Sequence, residues 1–200
     1  KGYGTQIGVY LDGTYTIQNL AQSGTSSKSY LAQSNYEVLK SGIKAGDALI
    51  VGFGHNDEKY EDSSRYTSPF GTKETEGSFA KSLYDNYVKL AQDKGAEVIL
   101  CTPVVRRTSN DTFSDQQLHK PQVPDPENGG SMKTGDYTAA IRGLGADVGV
   151  PVIDLKKLTQ ELYLSLGVEG TKELHAFTSR NESSIYNTHL NKYGAMYVAY

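Results

Sequence analysis

Three residues of this chain, Gly24, Asn56 and His189, have the types that acyl transfer needs. The tetrahedral intermediate of that reaction requires hydrogen-bond donors directed at its developing oxyanion. Gly24 lies in a predicted turn before a helix, where its backbone N–H can be exposed, and Asn56 offers a side-chain amide. His189 can act as a general base near neutral pH. The three residues therefore predict an oxyanion hole with a base.

Plainer interpretations stay open for the same residues. Asn56 lies in a Gly-x-Asn-Asp turn, which its side chain would stabilise without any catalytic role. His189 also fits a solvent-exposed position beside a helix N-cap. The serines that follow Gly24 are most simply caps at the start of a helix; they are Ser26, Ser27 and Ser29.

Other polar residues give weaker signals. Arg106 and its neighbour Arg107 suit either substrate binding, with Arg106 the preferred candidate, or ion pairs with surface carboxylates. His55 and His175 are expected in supporting or loop positions, and His119 in a long loop without a specific role. Groupings such as residues 55–58 fit no metal-ligand spacing, so neither a catalytic metal nor another cofactor is expected.

The elements that must position these residues alternate between strands and helices. Short apolar runs predict buried strands, which are residues 47–53, 97–101 and 150–154, with 14–20 a weaker first candidate. Apolar spacing of three and four predicts helices over residues 77–94, 137–148, 155–166 and from Lys192 onward. Glycine at positions 95 and 167 ends two of them, and Asp136 is placed to cap another.

This alternation predicts an α/β fold of the doubly wound kind, with a parallel sheet and right-handed crossovers. Ligands bind such sheets beyond the carboxyl ends of the strands. Four polar segments should meet at that edge; they are residues 19–29, 53–57, 102–107 and 186–191. Residues 58–76 and 108–134 read as long loops, which often form the walls of a site.

Composition bounds the remaining possibilities. The 200 residues suit one domain, and the net charge of -3 comes without a Lys/Arg cluster, so nucleic acid is not an expected partner. No apolar run reaches the length of a membrane span. The single cysteine, Cys101, lies in an apolar run and is interpreted as a core residue rather than a reactive thiol.

Taken together, the polar segments resemble the conserved blocks of the SGNH (GDSL-like) hydrolases, most closely the rhamnogalacturonan-acetylesterase-like branch. The matching segments are residues 21–29, 54–57, 102–107 and 187–191, with the linking stretches 64–67 and 174–179. The resemblance covers essentially the whole chain, and four blocks occur in the family's order and spacing. It implies a three-layer, flavodoxin-like sandwich over residues 1–200 as a single domain.

The resemblance also implies a function. It points to a serine esterase that removes acetyl groups from a plant cell-wall polysaccharide or oligosaccharide, such as pectin or rhamnogalacturonan, through an acyl-enzyme. His189 would be the base, Gly24 and Asn56 the oxyanion donors, and Arg106 a substrate contact. A secreted or cell-surface location and a carbohydrate-binding module in the full-length protein are further expectations.

Two departures from the family pattern support a rival hypothesis. The family's nucleophile serine lies in a Gly-Asp-Ser block on the first strand, just ahead of a segment that resembles residues 2–4. That strand and its serine would precede Lys1, so the domain is expected to be N-terminally incomplete. Tyr186 stands where the family has the triad Asp, although its hydroxyl or Glu182 could orient the imidazole. The alternative is therefore an inactive relative that binds carbohydrate or has a structural role.

Overall fold

The computed structural model describes residues 2–107, 118–178 and 184–200. It divides into two compact units. The sheet unit comprises residues 22–103 and 119–154, and the terminal unit comprises residues 1–21, 104–118 and 155–200. The expectation of a single domain over residues 1–200 stays a prediction.

A parallel sheet of three strands forms the centre of the sheet unit, in the order β1-β2-β5. The strands are β1 (Ala48–Gly52), β2 (Glu97–Cys101) and β5 (Val152–Ile153). In the register of β1 and β2, Val51 pairs with Leu100 and both side chains are buried. The apolar runs thus form the three strands predicted for them, and Cys101 is buried as expected. The expectation of full burial was wrong for β1 and β5, because Ile50 is 39% exposed and Ile153 is 40% exposed.

Helices cover the buried face of this sheet. One helical stretch runs through α2 (Phe79–Leu83), a π-helical turn (Tyr84–Val88) and α3 (Lys89–Asp93), and ends before Gly95, whose φ is +73°. Helix α4 (Tyr137–Val148) begins at Asp136, whose side chain accepts from the Ala139 amide. Both α3 and α4 contact β2, which confirms the predicted strand–helix alternation.

The sheet unit also contains elements that the pattern did not predict. Helix α1 (Ser34–Gly42) buries Tyr36 and Leu39 on one side. An antiparallel hairpin of β3 (Gln122–Asp125) and β4 (Ser131–Thr134) occupies part of the stretch predicted as a loop over 108–134. That prediction was wrong for residues 122–134, because both strands are short and β4 is exposed throughout, so neither shows the apolar run of a buried strand.

The terminal unit is built on α5 (Leu155–Lys172), the hairpin of β6 (His175–Phe177) and β7 (Ile185–Leu190), and α6 (Lys192–Ala199). Gly167 interrupts α5 with φ 68° and ψ -179°, a conformation that L side chains rarely adopt, so the predicted helix does end there. Val105, Tyr163 and Leu174 form the buried core of this unit.

The weaker strand candidate at residues 14–20 was wrong. Asp12 accepts hydrogen bonds from the backbone N and the hydroxyl of Thr14 at 3.0 and 2.6 Å, which gives the chain a local turn instead of a strand ladder. Tyr15 is 64% exposed, so no face of the segment is buried as a strand would require. Across the described ranges, no helix is both long and apolar enough to span a bilayer.

Candidate active site

Asn56 lies in a turn that follows directly from the carboxyl end of β1. The turn bends at Gly54, whose φ is +141° and where a Cβ atom would lie 2.8 Å from the Pro103 ring, so this position requires glycine. Asn56 is half-buried, and its Nδ2 donates to the Thr25 carbonyl at 3.1 Å. On the other side, Arg65 Nη1 donates to Asn56 Oδ1 at 3.4 Å. These two contacts fix the orientation of the Asn56 amide, with Nδ2 toward the Thr25 carbonyl and Oδ1 toward Arg65.

The Gly24 segment meets the Asn56 turn through the Thr25 carbonyl. Gly24 itself is exposed, has φ +80° and has no atom within 4 Å of an added Cβ. The structure therefore brings two of the three predicted site residues into one neighbourhood at the carboxyl end of β1. Their role as oxyanion donors stays a prediction.

Asp57, next to Asn56, is a fully buried carboxylate that sequence reasoning did not single out. It accepts from four donors, which are Ser27 N (3.1 and 3.2 Å), Ser27 Oγ (2.6 Å), Gly54 N (3.1 Å) and Thr67 Oγ1 (2.9 Å). Burial raises the pKa of Asp57 to about 6, and these hydrogen bonds oppose the rise by stabilising the charged form. The carboxylate thus joins the Gly24 segment to the Asn56 turn.

The serines after Gly24 divide between two roles. Ser26 and Ser29 bond each other's backbone N–H through their hydroxyls, at 2.8 and 3.0 Å, as expected of caps at the start of a helical turn. Ser27 does not cap, because its N–H and hydroxyl are both directed to Asp57. For Ser27 the cap interpretation was wrong.

His119 has a specific partner, contrary to the expectation of none. Its side chain is fully buried, and its Nδ1 is paired with the carboxylate of Glu58 in the Asn56 turn. The ring of His55 packs edge-on against it, with 4.6 Å between ring centroids. His119 also has φ 63°, which is unusual for a residue other than glycine. The pair ties the start of the hairpin segment to the turn that carries Asn56.

His189, the third predicted site residue, is exposed on β7 of the terminal unit. Residues 186–190 of this polar segment belong to β7, which pairs with β6, and Asn191 then caps α6 by accepting from the Gly194 N–H. The ring of Tyr186 lies 4.6 Å from the His189 ring, with 38° between the planes. Tyr186 thus contacts the imidazole face. Glu182 lies outside the described residues, and the proximity of His189 to Asn56 stays a prediction.

A second imidazole of the terminal unit, His175, is buried. Its Nε2 lies 2.7 Å from the Tyr163 hydroxyl. Burial, and next the positive charge of Arg107, lower the pKa of His175 to about 4, so the ring is neutral at pH 7. Arg107 donates to the Val168 carbonyl at 3.4 Å, and its backbone N–H donates to Asn187 O at 2.7 Å. These contacts lie within the terminal unit, and the supporting role expected of His175 stays a prediction.

Arg106 is half-buried in the same unit, and its contact with substrate stays a prediction. Within residues 2–107, 118–178 and 184–200, no cluster of three or more His, Cys, Asp or Glu side chains is arranged to hold a metal ion.

Comparison with known proteins places the chain in a family. It is 30% identical over 205 residues to the rhamnogalacturonan acetylesterase RhgT of Bacillus subtilis strain 168, covering 99% of this chain and 77% of RhgT. It is 28% identical to the probable rhamnogalacturonan acetylesterase YesY of the same organism, covering 97% and 77%. The crystal structure of Bacillus subtilis YxiM superposes with a TM-score of 0.71 at 26% identity, over 99% of this chain and 47% of that one. No protein-family model matches the chain.

An α/β fold with a parallel sheet, shared with YxiM, first defines the class as that of SGNH-type hydrolases. The similarity to RhgT then assigns the chain to the SGNH hydrolase family, in its rhamnogalacturonan-acetylesterase-like branch. The fold class and the family inferred from the sequence are both confirmed. The chain spans about half of the YxiM structure.

Proposed function

We propose that this protein is a secreted or cell-surface serine esterase that removes acetyl groups from a plant cell-wall polysaccharide of the rhamnogalacturonan type. The observation that carries the proposal is the meeting of the Gly24 segment and Asn56 at the carboxyl end of β1. RhgT and YesY, whose names describe rhamnogalacturonan acetylesterases, support the choice of substrate.

The two donors are suited to an ester carbonyl. One N–H of the Asn56 amide is engaged by the Thr25 carbonyl, which leaves the second for a developing oxyanion. The contact of Arg65 with Asn56 Oδ1 holds the amide in this orientation and places a positive charge behind it. The backbone N–H of Gly24, an exposed residue, would supply a second donor. Donors held in place before the reaction stabilise the transition state without reorganising.

The proposed base is His189, which would take the proton from the nucleophile and return it to the leaving alcohol. The ring of Tyr186 against its face limits rotation of the imidazole. Because an aromatic face attracts cations, the same contact stabilises the imidazolium that forms. A carboxylate in this position would stabilise that charge more strongly.

The nucleophile of this proposal is the serine of a Gly-Asp-Ser block, as the family resemblance implies. The 200 residues contain no Gly-Asp-Ser sequence. The serine would attack the acetyl carbonyl, release the sugar hydroxyl and leave an acetyl-enzyme, which water then hydrolyses. We therefore expect residues 1–200 alone to release acetate no faster than a control protein.

A second candidate function is carbohydrate binding without catalysis. It is favoured by Tyr186, which stands where the family has the triad carboxylate. Such a protein would keep the substrate surface and lose turnover.

One experiment separates the two functions. The natural full-length protein is treated with a fluorophosphonate, and acetate release is measured on acetylated rhamnogalacturonan and on acetylated xylan. An esterase is labelled on one serine, releases acetate faster from the pectic substrate, and loses both properties when His189 is replaced by Ala. Binding of the polysaccharide without label or acetate release would contradict the esterase and favour the binding protein.

A further inference from the structure

We infer that Asp57 is a positioning residue for the oxyanion hole, because its single carboxylate holds together the two backbone segments that carry the donors. The inference rests on the proposed function and adds a residue to it. Asp57 does not touch the reacting atoms in this account. It acts through Gly24 and Asn56.

The carboxylate reaches both segments directly. On one side, the backbone N–H of Ser27, three residues after Gly24, donates to both oxygens at 3.1 and 3.2 Å. On the other side, the N–H of Gly54, two residues before Asn56, donates to Oδ2 at 3.1 Å. A displacement of the carboxylate therefore changes the separation between the Gly24 N–H and the Asn56 amide.

Two buried tyrosines restrain the backbone next to the Asp57 carboxylate through hydrogen bonds to its carbonyl groups. The Tyr87 hydroxyl donates to the Ser27 carbonyl at 2.7 Å. The Tyr137 hydroxyl donates to the carbonyls of Asp57 and Thr67 at 3.0 and 2.7 Å. With the backbone held on that side, the carboxylate and the direct bond from Asn56 Nδ2 to the Thr25 carbonyl together set how far apart the two segments lie. Misplacement of a catalytic group by 1 Å costs on the order of 100-fold in rate.

The hydrogen bonds allow a test that separates position from charge. In Asp57→Asn, the amide oxygen can take the place of Oδ2 and still accept from the N–H groups of Ser27 and Gly54. The amide nitrogen then takes the place of Oδ1, facing the hydroxyls of Ser27 and Thr67. A hydroxyl can rotate to accept as well as donate. The carboxamide therefore preserves the connection between the segments while it removes the charge.

The experiment measures kcat and KM for acetate release from acetylated rhamnogalacturonan by the natural full-length protein and three variants. We expect Asp57→Ala to lower kcat by roughly 100-fold, since it loosens both donors, with KM changed less than about threefold. Asp57→Asn should keep kcat within about fivefold of the wild type. Thr67→Val is the matched control, because Thr67 bonds the same carboxylate but belongs to neither donor segment.

Each outcome decides the inference. It is overturned if Asp57→Ala folds and keeps its kcat, if Thr67→Val loses as much kcat as Asp57→Ala, or if a folded Asp57→Asn loses 100-fold. The Asn variant decides the question alone if Asp57→Ala does not fold, as judged by circular dichroism. A wild-type protein without acetate release overturns the proposed function itself, whereas an active wild type with an unaffected Asp57→Ala overturns only the role of Asp57.

Discussion

Each unit buries a titratable side chain whose contacts differ in kind from those of the other, Asp57 in the sheet unit and His175 in the terminal unit. In the sheet unit, Asp57 is fully buried, and its carboxylate bonds backbone groups from two separate segments. In the terminal unit, His175 is 1% exposed, and its Nε2 contacts the Tyr163 hydroxyl beside the apolar core. Burial raises the pKa of the acid to about 6 and lowers that of the base to about 4.

The comparison shows that burial alone does not distinguish a supporting group from one linked to a site. The contacts of His175 lie within the core of its own unit, so we expect it to affect stability. The contacts of Asp57 connect the segments of Gly24 and Asn56, so we expect it to affect both stability and rate. By contrast, the proposed base, His189, is exposed and packs against Tyr186.

The largest expected effect is on the exposed histidine of the terminal unit. His189→Ala should lower kcat of the full-length protein by at least about 10⁴-fold, because it removes the base that activates the nucleophile. His175→Gln is the control from the same unit, and it should lower the midpoint of thermal unfolding while kcat changes less than about threefold. Equal losses of kcat in both variants would remove the distinction between the exposed and the buried histidine.

In the sheet unit, Asn56→Ala should lower kcat by about 10²–10³-fold, the loss that follows removal of one oxyanion donor. KM should change little, because the donor acts on charge that develops in the transition state. Asn86→Ala is the matched control, since that amide donates to the Ser82 carbonyl within a helical stretch. A loss expressed mainly in KM would show that Asn56 binds substrate instead of stabilising the oxyanion.

Acidification from pH 7 to 4.5 should affect the two buried groups with opposite signs. The folded pKa of Asp57 is raised, so its contribution to stability is lost as pH rises through about 6 and is regained on acidification. The folded pKa of His175 is lowered, so its contribution is present above the unfolded value of 6.5 and is lost as pH falls through about 4. The contribution of each group changes by about 2 kcal/mol between pH 7 and 4.5.

Urea unfolding at the two pH values tests this opposition. Between pH 7 and 4.5, Asp57→Asn should lose more stability than the wild type, and His175→Gln should lose less, because each variant removes one of the two terms. Parallel changes in the wild type and both variants would show that neither group titrates as described.

The smallest expected effect concerns Tyr186. Tyr186→Asp should raise kcat by up to about tenfold, because a carboxylate stabilises the imidazolium more than an aromatic face does. Tyr186→Phe keeps the ring contact and serves as the control, with kcat expected within about twofold of the wild type. A Tyr186→Asp variant slower than Tyr186→Phe would indicate that packing against His189 matters more than charge.

An unchanged kcat in Tyr186→Asp, combined with a collapse of kcat in Glu182→Gln, would assign the carboxylate role to Glu182.

The sheet and its main helices were predictable because apolar periodicity is a local property. Residues 97–101 form β2 as predicted, and Gly95 and Gly167 end helical segments where expected. The hairpins were missed because their strands are short and partly exposed; β4 has no buried residue. A strand that buries little apolar surface leaves no pattern for sequence reasoning to detect.

The proximity of the Gly24 segment to Asn56 could also be predicted from the sequence. Gly24 and Asn56 follow from their turn chemistry and from the family blocks. The partners that hold them could not be found this way, because Ser27 and Asp57 are 30 positions apart and Glu58 and His119 are 61 apart. Hydrogen bonds over such separations depend on how the chain folds back on itself, which no local spacing records.

The most direct test of the account is a crystal structure of the natural full-length protein after labelling with a fluorophosphonate. We predict a phosphonyl group on one serine, with its oxygen about 3 Å from both Gly24 N and Asn56 Nδ2. A nitrogen of His189 should lie within about 3 Å of the serine oxygen. A label on any other residue type, or a phosphonyl oxygen bound away from Gly24 and Asn56 with His189 out of reach, would contradict it.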